Sequence, residues 1–284
     1  MDLAFLMKRF MCEAGSTFHS REDKKMTTTD LTGKIALITG SSRGLGRHYA
    51  LTFARAGADV IIHDVNATAA AQFGEAASGE AVAEEIRALG RRSAFLTCDL
   101  TDPSQIESFV SNAIGQFGHI DILVNNAGGD IGANTPRPDP NNAIDINVED
   151  IQKVLNLNLL NTMCMCKFVG SHMRERRSGK IVNVGSAAGH MPATVGIIYA
   201  AAKAGISHYT RCLAEELRSA SVNVNCIAPA ATYTGRFLAT RTVESQEGLS
   251  RLQQIAQPDD MAKIVLFLAS PLADYLTGET VICH

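Results

Sequence analysis

Two spacings are missing from this chain. None of its seven cysteines stand as Cys-x-x-Cys, and none of its eight histidines stand as His-x-x-x-His. Those arrangements gather sulfur and imidazole ligands around zinc, so no catalytic metal is expected. The scattered cysteines, with Cys164 and Cys166 two apart on an apolar segment, read instead as buried thiols in a reducing compartment, and the chain as cytoplasmic. No apolar run reaches the ~20 residues that span a bilayer. An excess of positive charge is also lacking. The 26 basic and 29 acidic residues leave a net charge of −3, which gives no electrostatic basis for binding nucleic acid or an anionic membrane.

What is present is a globular composition, 46% apolar and 19% charged, in a chain of 284 residues, enough for one sizeable α/β domain. Residues 1–28 differ from the rest. Leu3-Ala4-Phe5-Leu6-Met7 is too short for the apolar core of a signal peptide, and Lys8 and Arg9 follow it rather than precede it. The segment reads as a mobile tail ahead of a single domain over 29–284, with an upstream start or a membrane-touching amphipathic helix as alternatives. Arg174, Arg176, Arg177 and Lys180 form a local basic cluster. It reads as a helix C-terminus complementing its dipole, the alternative being a patch for an acidic carrier protein.

From residue 34 onward, apolar runs alternate with helix-forming stretches. Strands are expected at 34–39, 59–63, 93–97, 120–124, 179–184, 222–227 and 279–283. Helices are expected near 44–57, 75–89, 103–117, 149–177, 197–219 and 258–269. Such alternation predicts an α/β fold, a doubly wound parallel sheet covered on both faces. Right-handed crossovers then place a ligand beyond the C-terminal strand ends. Two connections are long. Residues 66–79 lengthen the path to the second helix, and the proline-rich 129–148 loop reads equally as a functional rim or a solvated excursion.

The first strand runs into Gly40-Ser41-Ser42-Arg43-Gly44-Leu45-Gly46 and then into a helix. Glycines let a backbone turn sharply and approach a pyrophosphate, and the helix N-terminus offers it free N–H groups. The second strand ends in Asp64 about 20 residues past the loop, where a carboxylate can bond ribose hydroxyls and repel a 2′-phosphate. This favours NAD(H). Arg43 leaves NADP(H) open, because it could reach a 2′-phosphate if Asp64 turned away, and an ordinary turn aspartate is the plainer reading of Asp64.

Tyr199 and Lys203 stand four residues apart, about one helical turn, so phenol and ammonium share a face. An ammonium about 4 Å away at an effective dielectric of about 20 would favour phenolate by roughly 4 kcal/mol, or about three pKa units. Tyr199 would then titrate near working pH. The hydroxyl of Ser186, upstream in Val184-Gly185-Ser186-Ala187, can donate to or accept from a reacting oxygen.

With these segments in this order, the sequence resembles the short-chain dehydrogenase/reductase family over roughly residues 30–280. Thr39-Gly40-Ser41-Ser42-Arg43-Gly44-Leu45-Gly46 is similar to the family's Thr-Gly-x-x-x-Gly-x-Gly loop. Cys98-Asp99-Leu100-Thr101-Asp102 resembles its acidic turn, where Asp99, with Leu100 beside it, would contact adenine. Asn125-Asn126-Ala127-Gly128 matches the turn by the nicotinamide ribose. Asn158, Ser186, Tyr199 and Lys203 fall at the family's catalytic positions. Thr234 sits where the family binds the nicotinamide amide or a phosphate.

The resemblance implies a Rossmann-type sheet and an NAD(P)-dependent oxidoreductase acting on a secondary alcohol or ketone. Tyr199 would be the general acid/base and Ser186 would hold the substrate oxygen. Lys203 would also bond the nicotinamide ribose, and Asn158 would anchor a water beside Lys203. A homotetramer or homodimer through the two long helices is implied as well. Two departures stand out: Pro229-Ala230 replaces Pro-Gly and is penalised if positive φ is needed, and the chain stops at Ile282-Cys283-His284, short of the family's tail. A mobile lid is expected over 228–252.

Gly129, Asp130, His190, Met191, Ala193, Val195, Ala231 and Phe237 are expected to line the substrate pocket, with His190 able to bond a second oxygen. A polyol or sugar, a 3-oxoacyl thioester and a cyclic ketone all stay open as small-molecule substrates. The alternatives are a 3-oxoacyl-(acyl-carrier-protein) reductase using NADPH, a non-catalytic nucleotide-binding regulatory protein, and an epimerase or dehydratase of the extended relatives. The last lacks support in the absence of a large domain after the sixth strand.

Overall fold

The computed structural model describes residues 29–130 and 137–283; the expected tail over 1–28 lies outside the described residues. Among the described residues seven strands form one sheet: β1 (Ile35–Ile38), β2 (Asp59–Asp64), β3 (Ser93–Thr97), β4 (Ile122–Asn125), β5 (Gly179–Val184), β6 (Val222–Ala228) and β7 (Thr280–Ile282). The helices are α1 (Gly44–Arg55), α2 (Gly79–Ala88), α3 (Pro103–Phe117), α4 (Val148–Leu155), α5 (Asn161–Arg176), α6 (Ile197–Leu217), α7 (Gly235–Thr240) and α8 (Pro258–Ala269). Each strand expected from the sequence is present. Among the described residues no helix is long and apolar enough to cross a membrane.

The strands lie in the order β3-β2-β1-β4-β5-β6-β7, and every neighbouring pair is parallel. A parallel sheet must be covered on both faces, and the side chains show it. All four residues of β1 are buried. Ala36 and Ile38 face a layer that includes Tyr49 and Phe53 of α1, Ile86 of α2 and Val265 of α8. Ile35 and Leu37 face the opposite layer, with Ile106 and Phe109 of α3, Met165 and Val169 of α5, and Leu213 of α6. Burying each such Leu or Ile contributes roughly 1.5–3 kcal/mol. The chain winds outward from β1 in one direction and from β4 in the other, so the loops beyond these strands diverge and leave a crevice.

Local chemistry sets the helix ends. Asp102 caps α3 by accepting the Ser104 N–H at 3.0 Å, and Pro103 occupies the first turn, where its missing N–H costs nothing. The helix expected from 75 begins later, at Gly79, because Ser78 caps it and the preceding residues form a separate 3₁₀ turn, Ala69–Phe73. The helix expected over 149–177 is interrupted by a π turn, Asn156–Leu160. Three side chains compete there for carbonyls four residues back. Asn158 donates to Val154 O, Asn161 to Leu157 O and Thr162 to Asn158 O, which loosens the α-helical ladder.

Candidate active site

The loop after β1 is shaped by glycine. Gly40 and Gly44 have φ of +61° and +55°, a left-handed conformation that favours residues without Cβ. At Gly46 a Cβ would lie 2.2 Å from Gly40 O, so the first turn of α1 presses against the loop. The turn after β4 is stitched to the same loop. Asn126 Nδ2 donates to the carbonyls of Thr39 (2.9 Å) and Gly40 (3.0 Å), while Thr39 Oγ1 accepts the N–H groups of Asn126 and Ala127, each at 3.0 Å. This lattice holds the positive end of α1 toward the crevice, a geometry suited to a phosphate.

Beyond β2, Asp64 is buried, and its carboxylate accepts hydrogen bonds from the Ser42 hydroxyl and from the Val65 N–H, the latter at 2.8 Å. Arg43 lies over the Phe73 ring, 4.7 Å from its centroid; burial lowers its pKa, Arg236 adds to the fall, and Asp64 and Glu75 oppose it. Next to Asp64, His63 Nδ1 accepts the Gly40 N–H at 3.2 Å and Nε2 lies 3.1 Å from Cys98 O. That pairing assigns a neutral ring with its proton on Nε2, and burial holds the His63 pKa down. Asp99 folds its carboxylate onto the N–H (2.9 Å) and hydroxyl (2.7 Å) of Thr101 at the cleft wall.

Across the crevice, α6 begins after Gly196, which is left-handed at φ +73°. Tyr199 and Lys203 follow on one face, with Lys203 Nζ 5.6 Å from the Tyr199 ring centroid. Lys203 is 4% exposed, and its ammonium donates to Val184 O at 2.8 Å. Burial lowers its pKa from 10.5 to about 8, helped by Arg236 and opposed by Cys226. Tyr199 goes the other way. Burial raises its pKa and Asp130 adds to the rise, against the Ser186 hydroxyl, Arg236 and Arg241.

The expectation that Tyr199 titrates near working pH is therefore corrected. Desolvation of both groups, which charge attraction alone leaves out, decides the outcome, and the Lys203 ammonium is directed at a backbone carbonyl. Ser186 stands between β5 and a short 3₁₀ turn, Ala187–His190, and accepts the Ala188 N–H at 3.2 Å.

Asn158 is fully buried in the π turn. Its Oδ1 accepts the Gly129 N–H, and its Nδ2 donates to Gly129 O and Val154 O, all at 2.9 Å. A Cβ on Gly128 would fall 2.7 Å from Asn158 Oδ1 and 3.3 Å from Lys203 Nζ, so the three groups are in close register. What Asn158 grips here is the Gly128–Gly129 backbone.

One cleft of about 1070 Å³ collects most of these residues. Gly40, Arg43, Gly44, Leu45, Asp64, Asp99, Leu100, Asn126, Ala127, Gly128, Ser186, Tyr199, Lys203, Pro229, Ala230 and Thr234 all line it. Ser42, Gly46 and Asn158 support it from behind. Ala230 keeps an ordinary negative φ, so its replacement of glycine carries no backbone strain. Thr234 caps α7 by accepting the Phe237 N–H at 3.2 Å.

At the far end lie Gly129, Asp130, Met191, Ala193, Val195, Ala231 and Phe237, as expected. His190 does not join them: its Nε2 turns to Ser207 Oγ at 3.1 Å. The long loop contributes Arg137, Pro138 and Asp139 to the cleft, with Arg137 paired to Asp130 at 3.2 Å. Its residues 131–136 lie outside the described residues.

Glu75, Arg137, Arg236 and Arg241 also line the cleft, and sequence reasoning passed over all four. Their only signal was position, in connections of unusual length or polarity. A glycine-shaped cradle at a helix N-terminus, a carboxylate at the end of β2 and a cleft at the upper end of the roughly 300–1,000 Å³ of small-molecule sites fit a nicotinamide dinucleotide.

Comparison with known proteins agrees with this geometry. A family model described as short chain dehydrogenase matches residues 34–244. Cyclohexanol dehydrogenase of Rhodococcus sp. (strain TK6) is 38% identical over 259 residues, covering 88% of this chain and 94% of that one. A 3-oxoacyl-[acyl-carrier-protein] reductase of Synechocystis sp. is 34% identical over 258 residues, covering 89% and 96%. The solved structure of a 7α-hydroxysteroid dehydrogenase, complexed with NADH and 7-oxo glycochenodeoxycholic acid, superposes with a TM-score of 0.78 at 32% identity, over 89% of this chain and 94% of that one.

Proposed function

The chain belongs to the short-chain dehydrogenase family, and from that premise we propose that it interconverts a ring-bearing secondary alcohol and its ketone with NAD(H). One observation carries the reading: Ser186, Tyr199 and Lys203 line the same cleft as the glycine loop and Asp64. Bound along that cleft, the dinucleotide would accept or supply the hydride. Tyr199 exchanges the proton with the substrate oxygen, and Ser186 holds that oxygen where charge develops. Lys203 faces the Gly128 backbone, where the family resemblance places the nicotinamide ribose. Asn158 keeps that backbone and Lys203 in register. Because burial raises the Tyr199 pKa, the phenol is the resting form near neutrality, ready to donate in reduction; oxidation requires its loss and speeds up as pH rises.

Two features support NAD(H) over NADP(H). Ser42 fixes Asp64 at the end of β2, and Arg43 is stacked on Phe73 rather than free for a 2′-phosphate. Met191, Val195 and Phe237 give the substrate end an apolar surface, and the relatives named for cyclohexanol and for hydroxysteroids favour a ring alcohol. The carrier-protein reductase reading rests on the Synechocystis relative. Against it, the basic cluster is already engaged. Arg176 pairs with Asp121 (3.1 Å), Arg174 with Glu216 (3.8 Å) and Lys180 with Asp274 (2.8 Å), and Arg177 donates to Ser219 O. That cluster also lies at the N-terminal end of β4 and β5, away from the cleft. Exposed Val148 and Leu160, on α4 and the π turn, suit a homodimer or homotetramer through the long helices.

The test is the absorbance of the reduced nicotinamide with a panel of cyclic and acyclic alcohols and ketones. Tyr199→Phe should lower turnover by at least about a hundredfold while NADH binding persists. Full activity in that variant would remove Tyr199 as the acid/base.

A further inference from the structure

The inserted stretch between β2 and α2 ends in an unusual contact. Gly74, left-handed at φ +70°, turns the chain after the 3₁₀ turn, and the Glu75 carboxylate reaches two loops at once. Oε2 accepts the N–H of Gly44, the first residue of α1, at 3.1 Å. Oε1 accepts the N–H of Gly235, the first residue of α7, at 2.9 Å. Arg43 and Arg236 line the same cleft as Glu75. Arg43 stacks on Phe73 and feels the Glu75 charge, while Arg236 donates to Gly128 O at 2.9 Å and is near enough to depress the charge of Arg43. The fit is tight: a Cβ on Gly235 would fall 2.8 Å from Phe73 Cβ and 3.0 Å from Glu75 Cδ.

The Gly44 N–H at the head of α1 is what a dinucleotide diphosphate needs, and two anions cannot share it. We propose that Glu75 is a built-in carboxylate competitor of the cofactor diphosphate. It holds the Gly44 and Gly235 N–H groups in the cleft that Arg43 and Arg236 also line; the diphosphate takes these N–H donors when Glu75 swings out, and Arg236 becomes a diphosphate-binding residue. Because Glu75 also tethers α7, dinucleotide entry and release of the 228–252 segment from the inserted stretch are one event. The inference rests on the dinucleotide reading of the cleft.

The test compares wild type with Glu75→Gln, Glu75→Ala and Arg236→Gln, with circular dichroism to establish folding. Two probes are titrated by calorimetry: NADH, which carries the diphosphate, and adenosine, which does not. Thermal unfolding is recorded without nucleotide. Glu75→Gln and Glu75→Ala should bind NADH roughly fivefold more tightly, with adenosine affinity unchanged. Both should unfold at lower temperature, because a charge that suits the α1 N-terminus is gone. Arg236→Gln should weaken NADH binding and leave adenosine binding alone. A purely structural Glu75 would lower both the unfolding temperature and the NADH affinity, and that result, or unchanged NADH affinity, overturns the proposal. If wild type binds neither NADH nor NADPH, the dinucleotide reading itself fails and takes this inference with it.

Discussion

The buried ammonium of Lys203 makes a measurable mark on stability. With 4% of its surface exposed, its pKa falls from 10.5 to about 8, burial being the main cause. Below pH 8 the folded and unfolded chains both carry the proton, and the folded chain bears the desolvation penalty in full. Between about pH 8 and 10.5 the folded chain gives up the proton while the unfolded chain keeps it. The unfolded state then binds more protons, so stability rises with pH across this window. At roughly 1.36 kcal/mol per pKa unit, moving from about pH 7 to about pH 9.5 relieves about 2 kcal/mol through this group alone.

Lys203→Met keeps the length of the side chain and has no proton to lose. Urea unfolding of wild type and Lys203→Met at the two pH values supplies a double difference in which the other titrating groups cancel. The expected value is about 2 kcal/mol, with wild type gaining relative to the variant at high pH. Activity should vanish in the variant, so a stability relief and a functional loss would trace to one side chain. Parallel pH profiles for the two proteins would refute the assignment of Lys203 as a charge held against its own desolvation.

Two further substitutions probe the cofactor end. Asp64→Ala removes the carboxylate at the end of β2 and releases Ser42, so the ratio of kcat/KM for NADP+ over NAD+ should rise by about tenfold, or ~1.4 kcal/mol; an unchanged ratio in steady-state kinetics takes Asp64 out of cofactor choice. Gly46→Ala puts a Cβ 2.2 Å from Gly40 O and 2.6 Å from Asn126 Nδ2, forcing α1 away from the loop. Overpacking of this kind costs about 1–3 kcal/mol, and NADH affinity should fall with it; thermal unfolding and calorimetric titration at wild-type values would show that the loop does not set the cradle.

The fold was legible because its two signals are local and agree. A parallel strand covered on both faces must be apolar throughout, and Ile35-Ala36-Leu37-Ile38 and Ile122-Leu123-Val124 announce this directly. Helices between such runs leave few topologies once crossovers are right-handed. Where the expectation failed, side chains were competing with backbone. The π turn in the helix expected over 149–177 arises from Asn158, Asn161 and Thr162 bonding carbonyls in the preceding turn, and a helical periodicity does not register that. The short α7 was hidden for a related reason: its start depends on the Thr234 cap and on an N–H held by Glu75, 160 residues earlier in the chain.

The cleft divides along the same line. Ser186, Tyr199 and Lys203 could be placed from spacing, because one helical turn and one strand end determine where they point. Their protonation could not, because it depends on how much solvent each loses. Coulomb attraction between Tyr199 and Lys203 acts in one direction, while burial acts on both groups in the other and prevails, raising the phenol and lowering the ammonium. Arg236 enters this balance as well as the phosphate end, lowering both Tyr199 and Lys203 while donating to the Gly128 backbone. A group that moves Arg236 therefore changes the charge felt at the proton-transfer residues. If the diphosphate draws Arg236 as Glu75 leaves, occupation of the phosphate cradle and the readiness of Tyr199 to exchange its proton become coupled through a single guanidinium.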